Sequence, residues 1–154
     1  MPAHLRLTSI ALDCPDPLAL AAFYQQATGY PLHPRSTAEF AGLTREGGLG
    51  IGFQKVDGHR APKWPGDGTA PQQAHLDFDV DDLDEAEAML LELGAAKPEF
   101  QPNSARWRVL TDPAGHPFCI VARRGDSPGE TPAGEKAAEE TPVEKKGAED
   151  ASAA

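Results

Sequence analysis

Apolar and polar residues alternate with a period of two from His75 to Val80, and the pattern then changes to a helical one at Asp82. Leu76, Phe78 and Val80 fall on one side and His75, Asp77 and Asp79 on the other, which predicts a half-buried strand. Leu83, Ala86, Leu90 and Leu93 then make a single stripe on a helix. Asp82 stands at its N-cap with Glu85 placed to close a capping box, and Gly94 stops it. The same plan occurs upstream, from Thr8 to Gly29. Thr8, Ile10 and Leu12 alternate with Ser9, Ala11 and Asp13; Asp16 is the N-cap and Pro17 the first helical residue. Leu18, Ala21, Ala22 and Phe23 or Tyr24 supply the apolar face, and Gly29 ends the helix. Seven positions separate Ser9 from Asp16 and seven separate His75 from Asp82. A repeat at a spacing of 66 residues predicts two similar modules in one domain.

Short strands fill out each module. In the first they are expected at Tyr30–Arg35, Ala38–Arg45 and Leu49–Val56, with Pro31 and Pro34 confining the earliest to an edge. In the second they are expected at Lys97–Gln101, Arg106–Thr111 and Pro117–Arg123. Gly47-Gly48 marks a hairpin turn and Asp112-Pro-Ala-Gly115 a tight one. The glycines of Leu49–Val56 leave room for something to approach the backbone closely. Residues 57–72 form a linker rich in Pro and Gly, in which Trp64 reads as a lid over a neighbouring apolar surface. The order is β–α–β–β–β, twice, which makes an α+β fold. Each sheet carries one helix on one face, so its other face must be covered or form a cavity with its twin.

Composition sets the boundaries. The folded domain spans 1–125, with modules at about 5–56 and 73–123. From Asp126 onward Val143 is the only large aliphatic residue, so 126–154 reads as a disordered acidic tail. The net charge of −10 divides evenly: the tail has eight acids against three lysines, and the domain sixteen acids against eleven bases. No basic stripe points to nucleic acid, and no apolar run approaches the length of a membrane span. The start passes straight into a strand without a signal-peptide core, and two cysteines make no disulfide framework, so a cytoplasmic protein is expected.

His75 is the sharpest candidate for chemistry. Its parity turns it away from the helix, with Asp77 on the same face. This pair suits a metal ligand or a general base, and equally a structural histidine bonded to its neighbour. Cys119 shares a face of the last strand with Val121 and otherwise reads as a small core residue. His116, in the turn before it, is expected to be exposed. His4, His33 and His59 have no ligand spacing, and Trp107 and Phe53 read as packing or as the floor of an apolar pocket. No nucleophile elbow, P-loop or paired-cysteine zinc motif occurs.

The paired modules, the segments DCPDPLALAAFYQQATGY and HLDFDVDDLDEAEAMLLELGA, and the final LTDPAGHPFCIV together resemble the glyoxalase/bleomycin-resistance/dioxygenase family, the vicinal oxygen chelate superfamily. The resemblance covers roughly residues 5–123 and is nearest to the glyoxalase-like branch. It implies that the curved sheets of two βαβββ modules form a cup, and that chains pair as homodimers. Metal-dependent members hold their ion with a His or Gln, a Glu, a His and a Glu. Here the resemblance puts Ser9 at the first position, Gly52 or Gln54 at the second, His75 at the third and Cys119 at the fourth. Only His75 is conventional. A serine hydroxyl is a poor ligand and a lone imidazole a weak one, so no metal is favoured; a divalent ion (zinc, iron, nickel or manganese) would rest on His75, Cys119 and Gln54 or Asp77. The leading expectation is a pocket for a small organic molecule lined by Ser9, Gln54, His75, Asp77, Trp107 and Cys119, acting by sequestration or by a reaction not assigned. The alternatives are a metal-dependent lyase, isomerase or dioxygenase with His75 in a catalytic role, and a scaffold whose tail binds a partner.

Overall fold

The structure, a computed structural model, describes residues 5–123; His4 and the predicted tail at 126–154 lie outside the described residues. The elements in order are β1 (Ser9–Cys14), α1 (Pro17–Thr28), β2 (Phe40–Leu43), β3 (Gly50–Lys55), β4 (Leu76–Val80), α2 (Leu83–Glu92), β5 (Trp107–Thr111) and β6 (Pro117–Ala122). They build two curved, open three-stranded sheets, ordered β1-β3-β2 and β4-β6-β5, with the outer pairs parallel to and antiparallel to the central strand in the same way. Both helices start where the sequence places them. The Asp16 carboxylate accepts from the Ala19 N–H at 3.0 Å, and Asp82 accepts from Asp84 and Glu85 at 2.8 and 2.9 Å. Gly29 adopts the left-handed conformation (φ 73°) that closes α1, with its N–H on the Gln25 carbonyl.

The second expected strand of each module, the one after the helix, is reduced to a single bridge, Leu32 with Leu43 and Ala96 with Thr111. Pro31 and Pro34 remove ladder donors from the first of these segments, and Pro98 interrupts the second. Side chains take over part of the missing pairing. Ser36 Oγ accepts from the Gly42 N–H at 3.1 Å, while the Gln101 amide accepts from the Val109 N–H at 2.9 Å and donates to its carbonyl at 2.8 Å. Val109, 1% exposed, thus has both backbone groups satisfied by one glutamine.

One apolar core serves both modules. Tyr24 of α1 stacks on Phe53 of the first sheet (5.5 Å between centroids) and lies against Phe78 and Phe118 of the second (6.1 and 6.2 Å). Truncating such a buried ring typically costs about 3–5 kcal/mol. α2 is held partly by charge: Arg108, on the helix side of β5, reaches Glu87 at 2.8 Å and Asp84 at 2.6 Å. Trp64 packs on Phe100 (6.2 Å) and donates to its carbonyl, as its reading as a lid anticipates. Among the described residues no helix is long and apolar enough to cross a membrane.

Candidate functional site

The strand periods decide which side chains are available. In the second sheet Leu76, Phe78 and Val80 pack into the core, and His75, Asp77 and Asp79 occupy the open face. Parallel pairing sets Asp77 beside Cys119, and His75 Nε2 lies 3.3 Å from Asp77 Oδ1. A nitrogen of His75, an oxygen of Asp77 and the sulfur of Cys119 all fall within 4.8 Å of one another. Trp107 is on the same face, paired with Val121 rather than Cys119. Ser9 and Gln54 belong to the first sheet, so the six residues expected to share one pocket are divided between two open faces.

The open face of the first sheet carries a hollow of about 560 Å³, lined by residues between Thr8 and Gly52. Its floor is short of side chains. Ser9 pairs with Gly50, Ala11 with Gly52, and Gly42 with Gly52. The Phe40 ring lies across that floor: a Cβ added at Gly52 would stand 2.8 Å from its Cζ. Around the rim are Arg35 and Arg45, with hydroxyls of Thr8, Ser9, Ser36 and Thr44. Of the six residues expected to line one pocket, only Ser9 lines this hollow, together with Gly52, the other position the resemblance singles out in this sheet. The sequence signals for the rest were weak, because Arg35 and Arg45 come from loops flanking β2. The glycines of β3 were the usable clue.

A third cluster is buried. Asp112 is 4% exposed, and its carboxylate accepts from the Tyr24 hydroxyl (2.8 Å), the N–H groups of Ala114 and His116 (2.9 and 3.0 Å) and the His116 ring (2.9 Å). His116 is therefore not exposed as expected; its side chain is 15% accessible, because the tight turn folds the ring back onto the carboxylate that begins it. Burial lowers the His116 pKa, but the hydrogen bond and charge of Asp112 outweigh it and hold the imidazole above its ordinary value. Burial pushes the neighbouring Cys14 thiol up to about 11, so it stays protonated and unreactive near neutrality. Neither cysteine forms a disulfide.

Solved structures share this architecture. A glyoxalase/bleomycin resistance protein/dioxygenase family enzyme from Burkholderia phytofirmans PsJN is 23% identical, with a TM-score of 0.58 over 77% of this chain and 98% of that one. A domain of the same description from Frankia sp. EAN1pec is 22% identical, with a TM-score of 0.56 over 79% of this chain and 100% of that one. A lactoylglutathione lyase from Agrobacterium tumefaciens is 20% identical, with a TM-score of 0.52 over 76% and 92%. These likenesses define the fold. The glyoxalase-like domain model matches residues 9–121, and the chain belongs to that family. No curated protein matches the chain in sequence.

The family's four-ligand metal arrangement does not fit these residues. The resemblance sets its two first-module positions at Ser9 and at Gly52 or Gln54; Gly52 has no side-chain donor, and the Phe40 ring occupies the space a side chain there would need. Gln54, two residues along on the same face, is exposed and does not line the hollow. What is left is a nitrogen, oxygen and sulfur set on the second sheet alone.

Proposed function

We propose that this glyoxalase-like protein binds a small organic molecule against the open face of its first sheet, without the family's shared metal. The observation that carries this reading is the 560 Å³ hollow over β1-β3-β2, with a glycine floor, one aromatic wall and convergent polar groups. The protein then works by sequestration, or by a reaction in which its own side chains handle the proton, within a cytoplasmic homodimer. The test is amide NMR of the full chain with a library of small aromatic and polar compounds. Binding that shifts Gly42, Gly50 and Gly52 supports the reading. Binding that shifts only the strand bearing His75 and Asp77 overturns it.

The cluster of His75, Asp77 and Cys119 favours a second reading, a metal-dependent lyase or dioxygenase with non-standard ligands. Three such donors suit zinc, which would supply Lewis acidity beside a fourth, open position. His75 and Asp77, 3.3 Å apart, would then both stand as ligands beside Cys119.

A further inference from the structure

Resting on the small-molecule reading above, we propose that the occupant of the hollow is an organic anion, a flat apolar body bearing a carboxylate or phosphate that pairs with Arg35 and Arg45. The charge of the lining runs against that of the chain. A protein with net charge −10 places two guanidinium groups and no carboxylate among the described residues around this hollow. Elsewhere Arg108 pairs with Asp84 and Glu87, Arg123 with Asp81, Lys55 with Glu39, Lys63 with Asp67 and Lys97 with Glu87; among the described residues Arg6, Arg60 and Arg106 have no ion pair either, but they do not line the hollow. Among the described residues Arg35 and Arg45 have no carboxylate within ion-pairing distance. A guanidinium left unpaired at a concave surface is a fork of donors matched to a planar or tetrahedral oxyanion.

Arg45 is also held in place. Its stem crosses Gly48 so closely that a Cβ there would stand 2.6 Å from Cδ, and its guanidinium lies 5.8 Å from the centre of the Tyr30 ring. Gly48 therefore acts through Arg45, as a positioning residue. Phe40, 47% exposed, offers a ring face over the glycine floor, where a flat apolar body can stack. The hydroxyls around the rim supply donors for the remaining anionic oxygens.

Calorimetry and amide NMR on the full chain would compare 2-naphthoate and phenyl phosphate with neutral 2-naphthamide. The anions are expected to bind, to shift Gly42, Gly50 and Gly52, and to weaken as salt is added. Arg45→Gln and Arg35→Gln should each lower anion affinity roughly tenfold and leave the amide unaffected. Gly48→Ala should reproduce Arg45→Gln with an unchanged thermal midpoint, since a flexible side chain can move aside. If Gly48→Ala proves unstable, the arginine variants alone carry the test. Equal binding of amide and anions, insensitive to both arginines, overturns the anion inference and keeps the small-molecule reading. Failure of all three compounds to shift those amides overturns both. The carboxylate and phosphate arms decide which oxyanion fits.

Discussion

The hydroxyl of Tyr24 donates to the carboxylate of Asp112 at 2.8 Å across 88 residues of sequence. This bond joins the first module's helix to the turn that launches the second module's last strand. A buried carboxylate is tolerable only when its lone pairs are satisfied, and among the described residues Tyr24 is the one side-chain hydroxyl that reaches it. Tyr24→Phe keeps the ring packing and removes one donor. It is expected to destabilise the domain by about 1–3 kcal/mol in urea unfolding. An unchanged midpoint would mean that the tie contributes nothing.

His116 gives stability a pH dependence. Its folded-state pKa is raised, so protonated His116 favours the folded state. That contribution is fully present below the unfolded value of about 6.5 and is lost as pH rises through the folded value. The groups acting on the ring are Asp112, Asp13 through both its backbone and its charge, and His59, whose ring centre is 5.3 Å away. His116→Gln is expected to flatten the fall in unfolding free energy above pH 6.5. An NMR titration placing His116 below its ordinary pKa would contradict this.

Gln101 stands in for a strand. Gln101→Ala would leave the N–H and carbonyl of nearly inaccessible Val109 without their partners. A loss of about 1–3 kcal/mol is expected, together with faster amide exchange at Val109. Gln101→Glu, which keeps the acceptor and loses the donor, should fall between the two.

Metal content separates the two functional readings. Protein purified without chelator is expected to carry no stoichiometric zinc, iron, nickel or manganese by mass spectrometry, and EDTA should leave its thermal midpoint unchanged. Near-stoichiometric metal that disappears in both His75→Ala and Cys119→Ser would establish the second-sheet cluster as the working site.

The β–α units were legible because period, caps and terminal glycines all agree within 22-residue windows, twice. The facing of His75 and Asp77 followed from parity alone. The strands at Tyr30–Arg35 and Lys97–Gln101 were over-read, since proline-interrupted apolar residues also suit a strap held by side chains. The meeting of Arg35, Arg45 and Phe40 depends on how two loops close around β2, and no local period encodes that. The DPAG turn was visible as a turn. That its aspartate also meets a tyrosine from the other module is a matter of tertiary packing, and that the turn folds the His116 ring back onto the same carboxylate is what carries His116 inside.

The Ser36 and Gln101 contacts bear on how this chain can associate. The outward N–H of Gly42 is taken up by Ser36 and its carbonyl by the His33 N–H, and both groups of Val109 by Gln101; a strand closed in this way presents no template to an incoming strand there. β2 and β5 are closed in this way at Gly42 and Val109, while β1 and β4 stand at the opposite borders of their sheets. Strand addition, whether by a second copy or by an extended peptide, is therefore directed to β1 and β4, the strands that carry Ser9 and Asp77.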